Sequence, residues 1–426
     1  MRKLLIVALL LILGVIGLAC SNEEAMNPSE EALTVLEQPA ELYIYLTSPG
    51  TFLEEYREMM TKQFPNYTLH FLNVNADQPM EALITDQQQI DLIVSSVGLT
   101  SRFLFEYEFQ SDISDLIQKY NFDLDRLEPT AIEIQRKLAD GGIYGLPFAT
   151  STLTIFYNKD LFDKFAVDYP SDDLTWDELY SLAQVMTRTE EGVSYKGMNM
   201  AFTHGMLMNQ YGADFVDPET HASLFEESAF RDAFLNMARF FLIPGNEIAN
   251  NTFSVSVQQN EFYVDQIVAM YMTQVEAANR YQDLLNWDVA AVPLHNGTGP
   301  QTYPYYFYLT TTSKNRDAAF QVMAYMTSDE FQNYVVRTGT LPILKDSSKV
   351  FENFGKNEPY FEGKNLKAFL PEKFAAPIAP SRFQDIANVQ VNAALNSYVS
   401  GKDVNTALRE ASEAVNQQIQ ERLGGS

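Results

Sequence analysis

Four histidines, His70, His204, His221 and His295, and one cysteine, Cys20, are the only imidazoles and the only thiol in the 426 residues. They stand singly, so neither a zinc-hydrolase pair nor a Cys/His metal cluster can be assembled from neighbouring positions. Gly355-Lys356, Gly363-Lys364 and Gly401-Lys402 are followed by Asn, Asn and Asp, which removes the hydroxyl a phosphate loop needs. Neither S-x-x-K nor G-x-S-x-G occurs, so the common activated serines are missing as well. Carboxylates are plentiful, and any two could imitate a glycosidase dyad. With 56 acids, chance proximity on a solvated face explains such pairs. The densest constellation is aromatic: Tyr303-Pro304-Tyr305-Tyr306-Phe307-Tyr308. In a strand, successive rings point to opposite faces. One face can then be core while the other offers rings and hydroxyls to a small molecule, which is the chemistry of recognition rather than turnover.

The elements that would position these residues begin with Leu42, Ile44 and Leu46 alternating with Tyr43 and Tyr45, a strand pattern. After Ser48-Pro49-Gly50, Thr51 and Glu54 form a capping box, and Phe52, Tyr56, Met59, Met60 and Phe64 recur at helical spacing. Residues 67–74 read as a second strand, 80–88 as a helix and 91–96 as a third strand. This β-α-β-α-β order predicts a mainly parallel sheet covered by helices. Ligands of such sheets bind beyond the carboxyl ends of strands, which nominates Thr47 and Ser48 after the first strand and Ser95 and Ser96 at the end of the third.

Length predicts two or three domains. The composition, 46% hydrophobic and 20% charged, is that of an ordinary globular protein. The net charge of −27 would repel a phosphate backbone and anionic lipid, which excludes nucleic-acid binding and docking on a membrane through a basic surface. One cysteine allows no intrachain disulfide. No cofactor and no metal is expected.

Cys20 is informative by position. Arg2 and Lys3 precede an unbroken apolar run over residues 4–19, slightly short of a membrane span. Residues 21–39 are polar, acidic and aperiodic, as in a flexible tether. The segment resembles a bacterial lipoprotein signal, with Gly17-Leu18-Ala19-Cys20 at the junction and Gly17 where a branched residue is usual. The resemblance implies removal of residues 1–19, a diacylglyceryl and fatty-acyl (palmitate-type) modification of Cys20, and a tether over residues 20–40. A plain secretion signal or an uncleaved anchor are the other readings.

The most specific stretch runs over residues 142–182: Gly142-Ile143-Tyr144-Gly145-Leu146-Pro147-Phe148, then Phe156-Tyr157-Asn158-Lys159-Asp160-Leu161-Phe162, then Leu174-Thr175-Trp176-Asp177-Glu178-Leu179. Downstream come Trp287-Asp288-Val289-Ala290-Ala291-Val292-Pro293-Leu294, Thr327-Ser328-Asp329-Glu330 and Gly339-Thr340-Leu341-Pro342-Ile343. Val404, Ala407, Leu408, Ala411, Val415 and Ile419 line a closing amphipathic helix. In this order and spacing the chain resembles the family 1 extracellular solute-binding proteins, the receptors of carbohydrate-type ABC importers, over residues 40–423. Physically, the motifs are scaffold: Trp176 reads as a core anchor, Asp177 and Glu178 favour the helix dipole, and Asn158-Lys159-Asp160 makes a turn.

The resemblance implies an α/β, two-lobe periplasmic-binding-protein-like fold with a hinge and an interlobe ligand cleft. Residues 41–147 plus 303–336 would form lobe I, and residues 148–302 plus 337–426 lobe II. Crossings are expected near residues 147–151, 301–306 and 335–339. It implies a non-enzymatic receptor, monomeric and lipid-anchored on the outer face of the bacterial cytoplasmic membrane. Its partners would be a small neutral ligand, a sugar or oligosaccharide, and ABC permease transmembrane subunits. A non-transport sensor, a surface lipoprotein, or a receptor for another solute such as a peptide are the alternatives. Both tryptophans belong to scaffold motifs, so ring stacking falls to tyrosine or phenylalanine. Tyr303, Tyr305 and Tyr306 lie at the expected second crossing. Aligned positions add Ser151 and Thr152, Thr203 and His204, Thr273 and Gln274 at a strand end, and Arg382 and Phe383 before a helix. Acids are sparse among these positions, which argues against a cationic ligand.

Overall fold

The computed structural model describes residues 38–48, 52, 54–73, 79–281, 286–378 and 380–424. Cys20, the segment 1–19, most of the tether and Thr51 of the expected capping box lie outside these residues. The described strands are β1 (Ala40–Leu46), β2 (Tyr67–Asn73), β3 (Leu92–Ser96), β4 (Gly145–Ala149), β5 (Leu153–Asn158), β6 (Arg188–Glu190), β7 (Val193–Met200), β8 (Val268–Gln274), β9 (Trp287–Ala290) and β10 (Tyr305–Leu309). They form two five-stranded sheets, in the orders β2-β1-β3-β10-β4 and β6-β7-β8-β5-β9.

In the first sheet the apolar positions Leu42, Ile44 and Leu46 are buried, and β1 runs parallel to both β2 and β3, with Ile44 opposite Phe71 and Leu92. Strand β10 returns from far along the chain and enters antiparallel between β3 and β4, setting Tyr305 opposite Ser96 and Tyr306 opposite Ser95. That register brings the carboxyl end of β3 against the start of the aromatic strand, with the end of β1 one strand further out. The helix Glu54–Gln63 buries Tyr56 and Met60, whereas the helix expected over residues 80–88 stops at Thr85, because Asp86 caps it and Gln87 takes a left-handed φ of 54°.

In the second sheet β7 and β8 are parallel, and β5 is antiparallel to β8 and β9. The helix Trp176–Met186 opens with a capping box, in which the Thr175 hydroxyl accepts from the Glu178 amide and the Glu178 carboxylate accepts from the Thr175 backbone. Trp176 is 8% exposed and donates through its indole nitrogen to Gln210 (3.2 Å), so it anchors the core. Asn158 caps the helix Lys159–Phe165 through the amides of Asp160 and Leu161. The helices Gln384–Val399 and Val404–Gly424 pack together, the latter burying Ala407, Leu408, Ala411, Val415 and Ile419.

The two sheets are joined by segments lying side by side. The Ser151 amide donates to the Tyr303 carbonyl (3.1 Å) and the Tyr303 amide returns the bond (2.8 Å). The Thr152 hydroxyl donates to the Gln301 carbonyl (3.1 Å), and the Thr150 amide to the Leu341 carbonyl (3.0 Å). The third segment meets the others a few residues beyond 335–339, where the helix Asp329–Arg337 still packs on the first sheet. Short strand-like connections of this kind permit a change of angle at few dihedrals, the geometry of a hinge.

Candidate functional site

A cleft of about 300 Å³ lies between the sheets. The first sheet contributes Ser48, Ser96 and Leu99; the second contributes Thr273 and Gln274 at the end of β8, with Glu276 and Ala277 just beyond. Tyr303 and Tyr305 close it from the connecting segment and the first residue of β10. His204 comes from the helix Phe202–Leu207, and Val255 and Gln259 from the helix Val255–Tyr263, where a spacing of four puts both on one face.

Within this wall, Tyr303 is 6% exposed and meets the His204 ring edge to face, with centroids 5.7 Å apart. Its hydroxyl lies 3.4 Å from Ser96 Oγ. A Cβ on Gly98 would lie 2.0 Å from that hydroxyl oxygen, so glycine is what lets Tyr303 lie across the turn after β3. Burial pushes the Tyr303 phenol up to about 12, with the Glu276 charge adding to the rise and the Ser96 bond opposing it. The Tyr305 hydroxyl donates to one Glu276 oxygen and the Ser151 hydroxyl to the other. Gln274 lines the cleft and carries a buried Nε2 with no hydrogen-bond partner among the described residues.

Seven of the residues nominated from sequence therefore meet in one cleft: Ser48, Ser96, His204, Thr273, Gln274, Tyr303 and Tyr305. Others stand behind it. The Thr47 hydroxyl donates to the Val94 carbonyl (3.1 Å) and lies 3.2 Å from Ser95 Oγ, and both side chains are buried. Ser151 and Thr152 are fully buried in the hinge; Ser151 reaches the site through Glu276. Thr203 turns to Asn392 (2.8 Å) rather than to the cleft.

Three nominated residues do not fit the expectation. Tyr306 is fully buried on the opposite face of β10, where its hydroxyl donates to the Ala131 carbonyl (2.8 Å) in the helix Pro129–Leu138. Burial holds its phenol well above the ordinary value. Arg382 lines a second pocket, of about 270 Å³, with Lys137 and His221. Phe383 is 1% exposed and packs edge to face on His221 (5.1 Å). The chain preceding the helix Gln384–Val399 turns away from the cleft, so neither residue lines it.

Glu276 adds an acid to a site in which the positions nominated from sequence were sparse in acids. It stands two residues past Gln274, and the only sequence signal for it was its closeness to that strand end. Glu276 is the only Asp, Glu, Lys or Arg among the described lining residues. The described residues contain no group of three or more His, Cys, Asp or Glu able to hold a metal, and none of their helices is long and apolar enough to cross a membrane. The arrangement offers hydroxyls, an amide, a carboxylate and two tyrosine rings, which suits a polyhydroxylated ligand with an apolar ring face.

The family model for the bacterial extracellular solute-binding proteins matches residues 49–333. A binding protein of Brucella abortus is 24% identical over 414 residues, 94% of each chain. An ABC substrate-binding protein of Listeria monocytogenes, solved in complex with cycloalternan, is similar in fold: TM-score 0.72 at 19% identity, covering 90% of this chain and 100% of that one. A sugar transporter of Rhizobium etli, solved in an open conformation, superposes with a TM-score of 0.68 at 19% identity, over 88% of this chain and 99% of the other. Two helix-covered sheets, a hydrogen-bonded hinge and a polar cleft between them thus coincide with a sequence match over most of the length, and the chain belongs to the bacterial extracellular solute-binding protein family.

Proposed function

We propose that this protein is the receptor of an ABC importer, capturing a small neutral sugar or oligosaccharide between its two lobes and delivering it to permease transmembrane subunits. The observation that carries the reading is the cleft itself: the Tyr303–His204 ring pair, the Tyr305 ring and the polar groups of Ser48, Ser96, Thr273 and Gln274 converge there from both sheets. Tyrosine faces suit the C–H side of a sugar ring, while hydroxyls and amides suit its oxygens. The sugar transport and cycloalternan binding ascribed to the two structural neighbours agree with it. A peptide receptor would need a cation for the terminal carboxylate, and Arg382, the one nominated, lines a different pocket.

Capture proceeds by closure of the lobe built on the first sheet on the lobe built on the second, with the ligand released unchanged. Small-angle scattering tests this: the true ligand compacts the protein and is recovered intact. Chemical conversion of the ligand, absent from controls without protein, would move the chain to the enzymes.

The receptor works as a monomer, held outside the cytoplasmic membrane by lipid on Cys20. The apolar run over residues 4–19 and the acidic tether after Cys20 motivate this. Intact-mass analysis should find residues 1–19 removed and a diacylglyceryl adduct present. A Cys20→Ala protein that is cleaved yet remains equally membrane-bound would refute the anchor.

A further inference from the structure

We infer that Glu276 sets the charge selectivity of the cleft: it admits neutral polyols, favours those carrying a protonated amine, and rejects those carrying a carboxylate or phosphate. This rests on the carbohydrate reading above and adds the ligand class to it. Glu276 follows β8 of the second sheet, while its two oxygens accept from Tyr305 at the start of β10 and from Ser151 in the hinge. The carboxylate is thereby fixed in position and orientation at the junction of both lobes, so a ligand meets a set charge rather than a mobile one. A carboxylate has lone pairs to spare after two such bonds, and these remain for ligand O–H or N–H donors.

Among the described lining residues no Lys or Arg offsets that charge, and the one group there able to carry positive charge is the His204 imidazole, edge to face with Tyr303. Ser48, Ser96, Thr273, Gln274, Gln259, Tyr303 and Tyr305 are neutral. Lys137 and Arg382 line the separate second pocket. An anionic ligand would place like charge beside Glu276 in a partly desolvated cleft, where screening by salt is weak. An ammonium would instead form a charge-assisted hydrogen bond.

The test is a charge series on one ring scaffold, measured by titration calorimetry at neutral pH: glucose, glucosamine, glucuronate and glucose 6-phosphate, with the matching maltose series. Wild-type protein should bind the neutral member at least about tenfold (1.4 kcal/mol) more tightly than the anionic ones, and the amine at least as tightly as the neutral one. Glu276→Gln should shrink the neutral-to-anionic gap to within about threefold, and Glu276→Lys should reverse it. The wild-type series stands alone should a variant misfold. Anionic members binding as well as neutral ones, or a gap untouched by Glu276→Gln in a folded variant, overturns the inference and leaves the carbohydrate reading in place. If no sugar of either series binds, the carbohydrate reading fails, and this inference falls with it.

Discussion

The Tyr305 hydroxyl donates to the Glu276 carboxylate across the gap between the two sheets, tying the first residue of β10 to the turn after β8. The bond couples the angle between the lobes to the same carboxylate that lines the ligand cleft. A hydrogen bond to a charged group contributes about 1.5–3 kcal/mol when partly buried. Tyr305→Phe removes it while keeping the ring. The variant should melt at a lower temperature and, without ligand, scatter as a more extended particle. Unchanged melting and scattering would show that the bond does not restrain the lobes.

Neighbouring tyrosines should separate binding from stability. Tyr306→Ala empties a fully buried site and removes the hydroxyl's bond to the Ala131 carbonyl, for an expected cost of about 3–5 kcal/mol, with ligand affinity preserved below its melting point. Tyr305→Ala should weaken ligand binding by at least about tenfold, at a smaller cost in stability. Denaturant titrations and calorimetry on both variants check the pair; equal effects on affinity would mean the two faces of β10 are not divided as described.

Trp176→Ala should behave as a scaffold lesion. The indole packs edge to face near Phe240 (6.3 Å) and donates to Gln210, whose amide in turn bonds the Pro293 and Thr298 carbonyls. Loss of about 3–5 kcal/mol with an unaltered dissociation constant is expected. A large change in affinity with little change in stability would place the indole in recognition instead.

Alkaline pH should destabilise the fold through its buried phenols. Burial raises Tyr303 to about 12 and Tyr306 well above its ordinary value, against roughly 10 in the unfolded chain. With the folded value raised, the stabilisation is fully present below pH 10 and is lost as pH rises through 10 towards 12 and beyond. Unfolding free energies measured from pH 8 to 11.5 should stay level and then fall, with these phenols titrating late. Stability independent of pH above 10 would contradict the burial assigned to these rings.

How much of this was legible in the sequence depended on the range of the forces involved. Strand β1, with Ser48 beyond it, follows from local alternation, and β3, with Ser96 at its end, from a short apolar run and the rule for parallel sheets. The division of the tyrosines was half legible: period two demands that Tyr305 and Tyr306 face opposite ways. Which of them meets the ligand depends on the helix Pro129–Leu138 covering one face of β10, a contact distant in sequence. Glu276 was hidden for the same reason. Among 56 acids nothing local marks it, and only the approach of Ser151 and Tyr305 makes it a fixed group. Arg382 and Phe383 misled because the start of a helix says nothing about which way the chain before it turns.

The binding claim is tested most directly by a crystal structure of the protein with the sugar that most raises its melting temperature. Density for a sugar ring should lie between the lobes, within hydrogen-bond distance of Glu276 or Gln274 and with one face against Tyr303 or Tyr305. A ligand seated elsewhere, in the pocket of Lys137 and Arg382 for instance, or a cleft that stays empty at saturating sugar, would contradict it.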